Sequence, residues 1–253
     1  MRNKSVALFV AFLFLTILNC NTKKKIPLVF DTDANNEIDD QHALAYLFYN
    51  SNTFDIRGIT VNSTINGGDI NKHYEEAERI MLLCDWKNKT PLLKGANGNF
   101  KKIENNLGVP NFDGYKAVDF LIREALNYSP DNKIVFLAVG KLTNIALAVK
   151  KNPFIIPNIR LVWLGSNYPK PGEYNLENDV SSMNFLLNTK IEFEIVTVRY
   201  GESSGTDFVK VTEEDVINNM PKLGDKIDNP VEGRHGGSFF SFGQYSKNLF
   251  DNT

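Results

Sequence analysis

Four aspartates and a glutamate share ten residues in the stretch "DTDANNEIDD", Asp31 to Asp40. A single Asp after a strand is ordinarily a helix cap, worth roughly 1 kcal/mol. Four carboxylates exceed what capping needs, and two in close contact cannot both stay ionised without a counter-charge. No Lys or Arg lies inside the stretch. Compensation must come from a distant basic side chain, from proton sharing, or from a bound cation. A hard divalent ion that gathers oxygen ligands would answer the problem directly. The plainer alternative is a capped, solvated acidic loop.

The elements that must position these acids alternate along the chain. "IPLVFD" reads as a buried strand, "DDQHALAYLFYN" as a helix, "FDIRGITV" as the next strand and "NKHYEEAERIMLLC" as the next helix. "TPLLKG" is a short extended piece, and residues 96–115 read as a loop. The helix "KAVDFLIREALNY", the strand "NKIVFLAVG" and the helix "KLTNIALAVKK" come next, then the strands "NIRLVWLG" and "IEFEIVTV" around the helical "DVSSMNFLLN". After Arg199 the helical "TEEDVINNM" precedes a loop-like "NPVEGRHGGSFFSFGQYS". Strands alternating with long helices imply right-handed crossovers and an α/β fold: a mainly parallel central sheet with helices on both faces, an open Rossmann-like sheet. In such sheets ligands sit outside the carboxyl ends of the strands. Asp31 and Asp33, Asn62, Lys141 to Asn144, and Ser166-Asn167 all follow strands.

The opening "PLVFDTD…DD..ALA" resembles that of the nucleoside hydrolase family, inosine–uridine-preferring type. "VGKLTNIALAV" resembles its Gly-x-Leu-Thr-Asn-x-Ala segment, and "IRGITVNST" its second-strand segment with a substrate-contacting Asn. "WLGSNYPKPGEYNLENDVSSMNFLL" keeps the spacing Asn167, Glu173, Asn175 ahead of an Asp and a helix. The resemblance runs from about Ile26 to about Leu187.

The resemblance implies a nucleoside-hydrolase-like fold and cleavage of the N-glycosidic bond of ribonucleosides, or related N-ribosides, to free base and ribose. That chemistry builds oxocarbenium character on the sugar, as glycoside hydrolysis does. It further implies Ca²⁺ to position and acidify the attacking water. Asp33 would be metal ligand and general base, Asp40 the second carboxylate ligand, and the Thr143 carbonyl a third. Asp39 would serve the metal neighbourhood and a ribose hydroxyl. Asn167, Glu173 and Asn175 would hold the other hydroxyls, and Asn62, in preference to Asn66, would contact substrate from the second strand. A homo-oligomer is implied as well. Each residue also has a bland reading: Thr143-Asn144 as a helix cap, "PGEYN" as an ordinary turn.

Three features depart from the family pattern. "ANNEI" separates Asp33 from Asp39, a longer interval than usual, leaving Glu37 to face either the site or solvent. The family's further metal Asp near its C-terminus has no counterpart, because the chain ends at "NLFDNT" and Asp251 is a poor substitute; the expectation is that the C-terminal part is missing. The group that protonates the departing base is unassigned. His42 is expected on the first helix facing core or partner, His73 on the surface, and His235 in a loop able to close over a base with Phe239 or Phe240. Two other functions compete. "LVFDTD" also resembles the strand end of haloacid dehalogenase-type phosphatases, with Asp31 as nucleophile and Asp33 as acid. A non-catalytic riboside-binding lipoprotein is the third reading.

The remaining composition narrows the setting. A net charge of −2 and the lack of a Lys/Arg stripe argue against a nucleic-acid partner, and 42% hydrophobic residues suit one sizeable core. "MRNKSVALFVAFLFLTILNC" sets Arg2 and Lys4 ahead of an apolar run from Val6 to Leu18 ending at Cys20. The run is short for a membrane span and suits an export signal. Its ending resembles a bacterial lipobox, so residues 1–20 are expected to be a signal whose Cys20 is acylated, residues 21–25 a tether, and residues 26–253 the domain. That places the protein outside a bacterial cytoplasm, held to a membrane only by lipid. Cys84 is then the one thiol of the mature chain, expected as a buried small hydrophobe.

Overall fold

A computed structural model describes residues 24–36 and 38–252. Six strands form one parallel sheet: β1 (Ile26–Thr32), β2 (Phe54–Val61), β3 (Leu92–Lys94), β4 (Ile134–Ala138), β5 (Ile159–Leu164) and β6 (Glu192–Val196), in the order β3-β2-β1-β4-β5-β6. The chain builds outward from β1 to β3, then returns to the middle and builds the other way. β1 and β4 are therefore neighbours at the point where strand order reverses, with Asp31 level with Ala138. An open α/β sheet has its crevice there, outside the carboxyl ends. The α/β fold expected from the strand–helix alternation is the one observed.

The helices are α1 (Ile38–Tyr49), α2 (Ile70–Leu83), the short α3 (Phe100–Ile103), α4 (Tyr115–Leu126), α5 (Thr143–Lys151), the short α6 (Tyr174–Asn178), α7 (Val180–Leu187) and α8 (Phe242–Phe250). Side chains alternate across β1, so Val29 enters one core while Leu28 and Phe30 enter the other. The first core holds Phe136, Leu161 and Trp163 against Val118 and Leu121 of α4 and the buried stretch Ile145–Val149 of α5. The second packs Ile59 and Val61 against Leu44 and Phe48 of α1, Ile80 and Leu83 of α2, and Tyr245 and Leu249 of α8. A strand covered on both faces can be apolar throughout, which is why the sequence of β1 does not alternate.

Two stretches expected as loops contain helices. Phe100 and Ile103 are buried anchors inside residues 96–115, and Asn99 caps the turn they start by accepting the Lys102 N–H. After a two-stranded hairpin of β7 (Val231–Glu232) and β8 (Ser238–Phe239), Ser241 caps α8, whose Phe242, Tyr245 and Leu249 reach the core. Glycines and serines mask that apolar spacing in the sequence. "TEEDVINNM" does turn helically, as a wide turn over Asp215–Asn219.

Among the described residues no helix is long and apolar enough to cross a membrane. The apolar run Val6 to Leu18 and Cys20 lie outside the described residues, as does Glu37.

Candidate active site

At the mouth of β1 the two aspartates of "DTD" face different surroundings. Asp31, still in the strand, is 1% exposed and accepts hydrogen bonds from Thr60 Oγ1 (2.5 Å), Asn62 Nδ2 (2.7 Å) and Asn144 Nδ2 (2.7 Å). Burial pushes its pKa up to about 6 against the pull of these three donors. Such a carboxylate ties β1, β2 and α5 together and has no open face for attack. This overturns the phosphatase alternative, which needed Asp31 as an accessible nucleophile.

Asp33 lies one step further on and is also fully buried. The chain reverses directly after it, with the Asn36 N–H donating to the Asp33 carbonyl at 2.9 Å. Gly140, after β4, lets Asp33 approach: a Cβ there would strike Asp33 Oδ1 and lie 3.2 Å from Asn62 Nδ2. α1 returns the other pair. Asp40 is 4% exposed and accepts a hydrogen bond from Thr32 Oγ1. Its pKa is pushed well above the ordinary carboxylate range, first by burial and then by the negative charges of Asp33 and Asp39. Asp39 is an exposed residue, but protein packed about its carboxyl raises its pKa too, while Oδ1 accepts the Asp40 N–H at 3.1 Å.

The basic partner absent from the acidic stretch arrives from β4's end. Lys141, 4% exposed, donates to the Gly98 carbonyl at 2.7 Å, and its ammonium is within the electrostatic reach of Asp179, Asp113, Asp33 and Asp31. The sequence places Lys141 at the rim but gives no hint that it faces inward.

A cavity of about 110 Å³ opens above these acids, lined by Asn36, Asp39, Asp40, Leu164, Glu173, Tyr174, Asn175, Val198, Tyr200 and Thr206. Four expected site residues meet in it: Asp39, Asp40, Glu173 and Asn175. Glu173 caps α6, with its carboxylate accepting N–H bonds from Ser166 (2.6 Å), Asn175 (2.9 Å) and Leu176 (2.9 Å). Asn175 Nδ2 bridges the ends of β4 and β5 through Val139 O (2.7 Å) and Leu164 O (3.1 Å). Glu173 and Asn175 of "PGEYN" thus build a turn and also line the cavity. Asn167 stands beside the cavity, its Oδ1 accepting the N–H of the lining residue Tyr200 at 3.1 Å. Larger hollows, such as one of about 540 Å³ beside Phe48, Tyr49 and Trp86, collect none of the expected site residues.

Other expected residues lie behind the cavity or away from it. Asn62 is buried beneath the mouth with Nδ2 on Asp31, and its Oδ1 has no hydrogen-bond partner among the described residues. Asn66 is exposed and donates its N–H to Tyr174 Oη. Thr143 starts α5 with its hydroxyl on Asp179 Oδ2 at 2.6 Å. His73 is not on the surface as expected: it is fully buried, and its Nδ1 accepts the Asn35 N–H at 3.2 Å. The amphipathic spacing of α2 hid this, because a histidine fits either face. His42 is half-buried against α8, bonded to Ile38 O (2.6 Å) and Ser246 Oγ (2.8 Å), with burial lowering its pKa. His235 sits on the β7–β8 turn beside Arg234, away from the cavity lining, while Phe239 packs on Tyr245. Asp251 ends α8, paired with Lys247 at 2.6 Å.

Among the described residues, no group of three or more His, Cys, Asp or Glu side chains closes into a ready metal cage. The donors that do approach one another are all oxygens: the carboxylates of Asp33, Asp39 and Asp40, with the unpartnered Asn62 Oδ1 beneath the mouth. A buried carboxylate whose pKa two acidic neighbours raise, as Asp40's is, is what a hard cation would relieve, so the residues fit such an ion better than a soft one.

Comparison with known proteins places this geometry. A family model described as inosine-uridine preferring nucleoside hydrolase matches residues 28–246. The chain is 25% identical over 189 residues to the non-specific ribonucleoside hydrolase RihC of Klebsiella pneumoniae subsp. pneumoniae, covering 66% of this chain and 60% of that protein. It is 28% identical to RihC of Escherichia fergusonii over the same shares. The chain thus spans about 60% of the length of these curated relatives. A plant nucleoside hydrolase, PpNRh1, superposes with a TM-score of 0.66 at 18% identity, over 89% of this chain and 70% of that one. The inosine-uridine preferring nucleoside hydrolase of Bacillus anthracis gives 0.53 at 20% identity, over 78% and 70%. These two likenesses are of fold.

Proposed function

We propose, for a chain that belongs to the inosine-uridine preferring nucleoside hydrolase family, that the cavity at the β1–β4 switch point hydrolyses the N-glycosidic bond of ribonucleosides. The observation that carries the proposal is the convergence of Asp39, Asp40, Glu173 and Asn175 on one cavity, with the buried Asp33 carboxylate near enough to raise the pKa of Asp40. Members of this family are generally metal-dependent. Here the ion is Ca²⁺, held by Asp33, Asp39 and Asp40 with the Thr143 carbonyl as a further oxygen donor. When bound, it supplies a Lewis acid that lowers the pKa of water.

In the reaction, Asp33 takes one proton from the attacking water as the new C–O bond forms at the anomeric carbon. The C–N bond breaks, its electron pair leaves with the base, and the base is protonated from solvent. Asp39 accepts from a ribose hydroxyl, and Asn167, Glu173, Asn175 and Asn62 position the sugar. Glu173 is well suited to this role: hydrogen bonds from three backbone N–H groups fix its carboxylate, and a fixed acceptor loses little entropy on binding. Export and attachment of the chain to a bacterial membrane through an acylated Cys20 belong to the same proposal, as does assembly into a homo-oligomer. Cys20→Ser would then abolish incorporation of labelled palmitate.

The test is release of free base from inosine and uridine, followed by chromatography with calcium present. Base released by the wild type and lost in Asp33→Asn supports the proposal. Nucleoside that binds in calorimetry without any base released would overturn it in favour of a riboside-binding protein.

A further inference from the structure

The turn from Asp33 into α1 is where the chain departs from the usual family spacing, as a branch with an extended Asp-rich loop does, and hydrogen bonds tie it to the segment after β2. Asn35 Nδ2 donates to Gly67 O at 2.8 Å, and the Asn35 N–H donates to His73 Nδ1 at 3.2 Å. The Asn36 N–H closes the turn on Asp33 O at 2.9 Å. The partner surface is itself constrained: a Cβ on Gly67 would sit 2.6 Å from His73 Cε1 and 2.5 Å from Thr64 Oγ1. Buried His73 and bare Gly67 thus form a seat for Asn35, and the next residue, Asn36, is delivered to the cavity wall.

The donors and acceptors around the cavity give this placement meaning. Asp40 already accepts from Thr32, Glu173 accepts three amides, and Asn175 has both its N–H groups on carbonyls. The Asn36 side-chain amide makes no hydrogen bond to another described residue. Among the described residues it is an uncommitted donor, three residues before Asp39, which is an acceptor. A hydroxyl is both donor and acceptor, so it can give its hydrogen to Asp39 and receive the N–H of Asn36.

We infer that Asn36 is a specificity residue of this chain, seated by Asn35 on His73 and Gly67, and that with Asp39 it reads one hydroxyl of the bound sugar. The inference rests on the proposed sugar-binding role of the cavity. A site built to bond a hydroxyl rejects the analogue lacking it, because polar groups that the bound sugar covers are then left unpaired. Removing Asn36 therefore relaxes discrimination at one position of the sugar and leaves the others alone.

The experiment measures kcat/KM for inosine and for its 2′-, 3′- and 5′-deoxy analogues with wild type, Asn36→Ala and Asn36→Asp, and ribose affinity by calorimetry. In both variants KM for inosine should rise about tenfold, the loss of one hydrogen bond. The preference for inosine over one deoxy analogue should shrink by the same factor, with the other two preferences unchanged. Asn36→Asp keeps the shape but loses the donor, so a variant as selective as wild type overturns the inference while the hydrolase reading stands. A purely structural role would lower the melting temperature and weaken all four substrates alike, and that also overturns it. If the wild type cleaves no nucleoside, the hydrolase reading falls. Calorimetry then decides the inference alone: ribose affinity weakened about tenfold in both variants supports it, and unchanged or absent ribose binding overturns it.

Discussion

Asn144 Nδ2 lies 2.7 Å from Asp31 Oδ2, joining residues 113 apart in the chain at the base of the candidate site. With Thr60 and Asn62 it makes Asp31 a junction between strands, while Asp33, two residues on, is buried where its charge acts on Asp40. One motif therefore carries an acid tied into the scaffold and, in the proposed reaction, the general base.

That division predicts opposite phenotypes. Asp31→Ala strands three buried donors and should cost about 3 kcal/mol or more in urea unfolding. Asp33→Asn removes a negative charge beside Asp40 and should unfold at no lower urea concentration than wild type. Its turnover should nevertheless fall by about two to four orders of magnitude, the usual worth of a general base. An Asp33→Asn variant as active as wild type would remove Asp33 from the mechanism.

Gly140 should behave as a site residue although it has no side chain. Gly140→Ala pushes a methyl against Asp33 Oδ1 and toward Asn62. The expected result is a folded protein by circular dichroism whose kcat is reduced on the order of a hundredfold, the effect of a small misplacement of a reacting group.

Cation binding should appear as stability. Protein freed of metal by a chelator and titrated with Ca²⁺ should gain about 2.7 kcal/mol at a hundred times the dissociation constant. Asp40→Asn should lose most of that gain, because it removes one of the carboxylates in the buried corner. A calcium titration that leaves the melting temperature unmoved would exclude the ion.

Cys84 gives a pH prediction. Burial pushes its thiol from 9.0 up to about 12, so the folded state resists ionisation that the unfolded chain allows. Its stability contribution is intact below about pH 9 and is lost as pH rises from 9 toward 12. Cys84→Ser should lose less stability than wild type across that window. Cys84 is half-buried rather than the buried hydrophobe expected, so iodoacetamide at pH 8 should label it in the folded protein, but more slowly than after denaturation.

Much of this was legible in the sequence. Apolar runs such as "IVFLAV", separated by helix-length segments, dictate a parallel sheet, because only crossover helices can cover both faces. The acidic stretch and the spacing of Asn167, Glu173 and Asn175 marked the strand ends where polar groups gather. Local patterns do not report contacts between distant segments. Nothing about His73 in a helical repeat tells that its ring lies beneath Asn35. Nothing about Lys141 tells that its ammonium is buried within the electrostatic reach of four acids, or about Asp31 that Thr60 and Asn144 have already claimed it. Strand order made those decisions by placing β4 beside β1. The sequence set which groups reach the rim, and only the folded arrangement divided them between scaffold and chemistry.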